Sequence, residues 1–241
     1  MSATGFRRVL VVMAMGAEAW PLVAALSERW AQQPEATLVE PPLPMLGWRF
    51  DRPGGGEATV MTNGTDRRFG VDCVATQPAA LATQAGIRRY APDLVLTVGT
   101  AGALPETAAV GQVFHAAGFC FHDRRIFGVG DGFARYGAYP LPAAALSDPA
   151  AGTTPASAIV SSGNALNPVA EDFRIMRENG AILKEMEGAA VAWVCALHGV
   201  PCGGIKSVTN VYTAADVAGV TGERGPDDEA AQFQRNFDAA V

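Results

Sequence analysis

The stretch "VLVVMAM", Val9 to Met15, decides the architecture, because a continuous apolar run this short has few places to go. It is far below the roughly 18 residues that a membrane span needs. Arg7 and Arg8 before it imitate the charged start of a signal peptide, but seven residues suit a buried parallel strand better than an export segment. A strand that is apolar at every position must be covered on both faces, and helices are the usual cover.

Further strand signals follow at Ala58 to Thr62, Leu94 to Val98, Val113 to Phe121, Ala158 to Ser161 and Gly203 to Val208. Helical spacing fills residues 17 to 30, 77 to 90, 169 to 179, 185 to 198 and 227 to 240, the last with Phe233 and Phe237 one turn apart. Strands alternating with helices predict an α/β fold, a three-layer α/β/α sandwich around a central mixed, largely parallel sheet. Pro34 to Gly56 and Ala143 to Ser157 lack period and read as surface excursions of one domain spanning residues 1 to 241.

A formal charge of −6 with only 17% charged residues favours neither nucleic acid nor a membrane surface as partner. Cys73, Cys120, Cys195 and Cys202 have no paired metal-ligand spacing and read as small apolar side chains of a reducing, cytoplasmic protein. No metal or cofactor is expected.

In an open α/β sheet, ligands gather at the carboxyl ends of the strands. Glu18 follows the first strand, in the opening turn of a helix whose Pro21 is tolerated there. It is either a solvent-facing side chain or one of two acids meeting in a cleft and activating water. In "LKEMEGAAVAWVCALHG", residues 183 to 199, every residue from Gly188 to Leu197 is apolar or small, which marks a helix buried nearly all round. Glu187 in its first turn therefore needs a partner. Either a helix N-terminus satisfies the carboxylate, or it accepts paired hydroxyls from a sugar. "VGTAGAL", Val98 to Leu104, reads as a strand entering a turn whose Gly99 and Gly102 let backbone approach a ligand. His122 is either a surface histidine beside Asp123 or a site residue. In "GGIKSVTNVY", residues 203 to 212, Thr209 delivers Asn210 at a strand mouth.

Together the segments "VLVVMAMGAEAWPL", "GVDCVATQPAAL", "PDLVLTVGTAGAL", "VGQVF", "FHDRRI", "SSGNAL", "KEMEGAAVAWV" and "VPCGGIKSVTN" resemble, in order, the purine nucleoside phosphorylase and nucleosidase family. The likeness is strongest to plant-type 5′-methylthioadenosine/S-adenosylhomocysteine nucleosidases. It implies that Glu18 activates the attacking water, that Glu187 binds ribose hydroxyls, and that Met186 lies against ribose and base. Thr100, Ala101 and Gly102 would line the water and sugar site, and Lys206 would support the water-binding acid. Leu166 would flank the purine, with backbone near Asn167 reading its edge, and Thr209 and His122 would complete the pocket. It further implies a homodimer, with "FHDRRIFGVG" in the region that closes the partner's pocket.

The resemblance implies an aspartate at position 210, to protonate the leaving adenine. Asn210 stands there instead, and Asn164 and Asn167 also replace acids. An amide cannot supply a proton, although its NH₂ donates hydrogen bonds. Thr97 precedes Val98, and the first loop lacks the arginine that phosphorylases use for phosphate, so water is the expected acceptor. The expected activity is hydrolysis of the N-glycosidic bond of a purine nucleoside. The alternatives are a 6-oxopurine nucleoside hydrolase and a nucleoside-binding protein that has lost catalysis.

Overall fold

The computed structural model describes residues 5–126, 128–138, 141–146, 156–219 and 235–237. Twelve strands occur among them: β1 (Arg8–Met13), β2 (Thr37–Leu38), β3 (Leu46–Asp51), β4 (Glu57–Thr62), β5 (Thr65–Asp66), β6 (Val71–Asp72), β7 (Leu94–Ala103), β8 (Val113–Phe121), β9 (Leu141–Pro142), β10 (Ala156–Ser162), β11 (Ala181–Glu185) and β12 (Cys202–Val211). The helices are α1 (Gly16–Trp30), α2 (Thr76–Tyr90), α3 (Asp131–Ala138), α4 (Ala170–Glu178), α5 (Gly188–His198) and α6 (Ala214–Ala218). Most of the helix expected over 227 to 240, Phe233 included, lies outside the described residues, as do residues 147 to 155 of the second excursion.

The opening run behaves as its composition requires. β1 pairs in parallel with β4 on one side and β7 on the other, so its alternate residues enter two different cores. Leu10 and Val12 pack with Ala79, Ala82 and Ile87 of α2 and with the small residues of α5. Val11 and Met13 pack with Ala19 and Val23 of α1, under Trp48 and Phe50 of β3. Helices thus cover both faces, and the mixed α/β sheet is borne out.

The sheet runs β11-β10-β8-β12-β7-β1-β4-β3-β2, and β11 also pairs with β7. Strands β7, β12, β8, β10 and β11 therefore form a closed ring in which every member has two strand neighbours. The rest of the sheet extends from β7 as an open wing.

Several local expectations are corrected. Pro34 to Gly56 is not wholly irregular, since β3 lies within it and pairs antiparallel with β4. Residues 185 to 198 do not form one helix: β11 ends at Glu185, Glu187 is the N-cap residue, and α5 begins at Gly188. Within α5 the burial is broken at Leu197, which is 67% exposed. "VGTAGAL" is not a turn, because β7 continues through Ala103 and pairs with β12 beyond Gly99. Pro21 lies in the second turn of α1, not the first.

Candidate active site

A cavity of about 350 Å³ opens where the closed ring meets the open wing, walled by β1, β7, β11, β12 and the start of α1. Ten of the expected residues line it: Glu18, Thr100, Ala101, Gly102, Leu166, Met186, Glu187, Lys206, Thr209 and Asn210.

Glu18 is the third residue of α1 and is buried, so the solvent-facing alternative fails. Its Oε1 accepts from the Thr100 amide (2.9 Å) and from the Thr100 hydroxyl (2.8 Å). Gly99 permits this approach, since a Cβ there would lie 2.9 Å from the same oxygen. The glycines of "VGTAGAL" thus admit protein side chains. A Cβ at Gly102 would likewise lie 2.8 Å from Asn210 Nδ2. Burial pushes the Glu18 carboxyl above its ordinary pKa, against the pull of Lys206 and the Thr100 donors.

Glu187 is partly buried and takes the Ala75 amide on Oε1 at 2.7 Å. Ala75 is the N-cap of α2, so the helix terminus that meets this carboxylate is that of α2. The terminus of α5 is served by a residue the sequence reading passed over. Glu185 Oε2 accepts from the Gly188 amide (2.8 Å) and the Glu187 amide (3.1 Å), and its Oε1 accepts from the Ser162 hydroxyl. Lys206 Nζ completes the set at 2.9 Å from Glu185 Oε2. Glu185 is fully enclosed, which alone would raise its pKa, but Lys206 and the Ser162 donor outweigh burial and hold it below the ordinary value. Burial and the neighbouring Glu185 charge push Glu187 up to about 7.

Lys206 therefore forms its ion pair with Glu185, whereas the resemblance assigned it to the water-binding acid. It also contacts the Thr97 hydroxyl at 3.3 Å. Burial lowers its pKa, but Glu185 and Glu187 more than compensate, so it is a firm cation. Lys184, also missed, donates to the carbonyls of Ala165 (2.6 Å) and Leu166 (2.5 Å) and so holds the segment that presents Leu166 to the cavity.

The pairing of β12 with β7 slips between Val208 and Asn210, a bulge at Thr209. Strict alternation would turn neighbouring residues to opposite faces, whereas the bulge lets Thr209 and Asn210 both line the cavity. The Thr209 hydroxyl lies 3.1 Å from Asn210 Oδ1 and 3.3 Å from the Ala101 carbonyl. With Oδ1 taken by Thr209, the Nδ2 end of Asn210 is the donor available to a ligand.

Two expected residues stand apart. Asn167 is exposed and does not line the cavity. His122 is buried at 1% exposure, which excludes a surface histidine, and contacts Ser161 through Nδ1 at 3.1 Å. Burial and Lys184 lower its pKa to about 4, so it is neutral. Asn164 also lies outside the wall, leaving Asn210 as the one cavity residue among the three amides that replace expected acids.

The chain matches the phosphorylase superfamily over residues 8–240. It belongs to that superfamily. It is 35% identical over 153 residues to the 5′-methylthioadenosine nucleosidase of Arabidopsis thaliana, a match covering 63% of this chain and 57% of that protein. It is 32% identical over 160 residues to the 5′-methylthioadenosine/S-adenosylhomocysteine nucleosidase of the same plant, covering 63% and 59%. The matches thus span less than two thirds of these curated relatives. The apo structure of the Arabidopsis 5′-methylthioadenosine nucleosidase superposes with a TM-score of 0.80 at 30% identity, over 96% of this chain and 88% of that one. The superfamily member is therefore similar to plant nucleosidases in sequence and in fold, as the motifs implied.

Proposed function

We propose that this protein hydrolyses the N-glycosidic bond of a purine nucleoside of the 5′-methylthioadenosine/S-adenosylhomocysteine type, as one domain over its 241 residues. The observation that carries the reading is the meeting of Glu18, after β1, and Glu187, after β11, in one cavity that the Glu185–Lys206 pair also lines. Bond cleavage builds positive charge on the sugar and negative charge on the base. Glu187 accepts the ribose hydroxyls, and Glu18, fixed by Thr100, orients and deprotonates the attacking water. Met186 packs against the sugar, and Leu166 against the base.

Electrostatics supports water as the nucleophile. Among the described residues three carboxylates line the cavity with two lysines and no arginine, and the lysines are occupied by Glu185 and by two carbonyls. A phosphate dianion would meet net negative charge there.

Asn210 favours a second reading of the base. Its Nδ2 offers a donor that suits N7 or a 6-oxo group, and no proton for a leaving adenine. A 6-oxopurine nucleoside is therefore the second substrate class, and a nucleoside-binding protein without catalysis is what remains if no substrate turns over. We place the enzyme in the cytoplasm as a homodimer. The free cysteines fit a reducing compartment, and exposed Val129 and Phe133 near α3 suit an interface between copies.

The test is base release from a panel of adenine and hypoxanthine nucleosides, with and without phosphate. Release that is independent of phosphate is expected. Release only with phosphate would make the protein a phosphorylase, and binding without release would make it a binding protein.

A further inference from the structure

Asn164 lies outside the cavity wall and joins the loop after β8 to the first turn of α2. Its backbone N–H (2.6 Å) and side-chain Nδ2 (3.0 Å) both donate to Asp123 Oδ2, in the loop after β8. Its Oδ1 accepts from the Thr76 hydroxyl (2.6 Å) and the Thr76 amide (3.2 Å), at the first turn of α2. The residue before Thr76 is Ala75, whose own amide is the donor to Glu187. We propose that Asn164 is a positioning residue: by tying Thr76 to Asp123 it holds the Ala75 amide on the Glu187 carboxylate, so the loop after β8 sets the geometry of the sugar-binding acid.

Ala75 does not hold this position by preference. Its φ of 80° and ψ of −178° lie in a region that is essentially reserved for glycine, and such a conformation persists only where the surroundings fix it. On one side Glu187 takes its N–H, and on the other Asn164 captures both donors of Thr76. The far end of the tie is also anchored. Arg124, next to Asp123, lies 3.8 Å from the Phe121 ring centroid, and Arg125 pairs with Asp172 of α4.

The amide at 164 follows from this role. It must donate towards Asp123 and accept from Thr76, which an asparagine does with its two ends. An aspartate at 164 would set oxygen against oxygen at the 3.0 Å contact. Asn164 therefore replaces an acid for a reason unconnected with the base.

The inference rests on the reading of Glu187 as the sugar-binding acid, so one readout is independent of turnover. The Glu187 carboxyl is faced by Glu185 of β11, Lys206 of β12 and Glu18 of α1, and the Ala75 donor favours its ionised form. Its titration midpoint, followed by carboxyl-carbon NMR, should rise in Asn164→Ala and in Asn164→Asp. KM for the best nucleoside should rise about three- to tenfold, with kcat less affected, as expected for one partly exposed hydrogen-bond tie. Thr76→Val, which removes the hydroxyl that Asn164 Oδ1 accepts from, loosens the same tie from its other end. It should raise both midpoint and KM in the same direction as the Asn164 variants. An unchanged midpoint in the Asn164 variants and in Thr76→Val overturns the proposal. Failure of wild-type protein to release any base would count against the functional reading, while the NMR midpoints would still decide the role of Asn164.

Discussion

Lys206 Nζ stands 2.9 Å from Glu185 Oε2, both side chains being 3% exposed or less, and this pair lines the same cavity as Glu18 and Glu187. One cation thus serves three carboxylates. Glu185 takes the direct contact, and Glu18 and Glu187 feel Lys206 through space.

Removing the cation should therefore be costly. Lys206→Met leaves the buried Glu185 carboxylate uncompensated, and breaking such a pair costs about 3–5 kcal/mol. Urea unfolding at pH 7.5 should show this loss, and it should shrink at pH 5, where the acids take up protons. An equal loss at both pH values would mean that the charge pair contributes little.

Glu18→Gln and Glu187→Gln should each lower turnover at least about a hundredfold while the protein still folds, if a water is activated and a cationic sugar stabilised. Near-wild-type base release by both variants would remove the mechanism.

Activity and stability should move in opposite directions across weakly acidic pH. Glu187 titrates near 7 when folded, against 4.5 as its ordinary value. On the proposed mechanism its ionised form accepts the sugar hydroxyls, so kcat/KM should fall as pH drops below about 7, and Glu187→Gln should flatten that limb. A folded pKa above the unfolded one makes the opposite contribution to stability, full below about pH 4.5 and lost as pH rises through 7. Paired pH profiles of rate and of denaturant midpoint check both signs.

Asn210→Asp should restore a proton donor for a leaving adenine. General-acid effects are commonly two to four powers of ten, so cleavage of 5′-methylthioadenosine should rise by about a hundredfold or more. Cleavage of inosine-type nucleosides should stay level or fall. A flat adenine rate would mean that another group protonates the base.

Ala75→Gly should stabilise the fold by about 1 kcal/mol, the strain of 1–3 kcal/mol being partly offset by the entropy of an added glycine. A raised thermal midpoint is the expected result, and a lowered one would mean that Ala75 is not strained.

The sequence reading succeeded where burial was uniform. β1, β4, β7, β8, β10 and β12 fall on the expected stretches, and α1 and α2 begin within a residue of their expected starts. It failed where a charge is buried for a partner far along the chain. β11 carries Lys184 and Glu185, which look like the solvated approach to a helix, and only Ser162, Lys206 and the carbonyls of 165 and 166 explain them. β3 was hidden between Pro44 and the glycines from 54 to 56, which mark turns on either side of a six-residue strand. The family pattern groups Asn164 and Asn167 with Asn210, and no local signal separates an amide that ties a loop to a helix from one that lines a cavity.

The closed ring makes the cavity a late product of folding. Leu183 meets Ala103 and Asn210 meets Gly102, pairs about 80 and 108 residues apart in the chain. Contacts so distant in sequence form only after long loops have closed, which slows their appearance. A growing polypeptide that has reached residue 150 already carries Glu18 and Thr100 but neither Glu187 nor Lys206. If the proposed function holds, nucleoside recognition should thus emerge with the slowest refolding phase, after the open wing has acquired its helices, and would serve as a marker of completed folding.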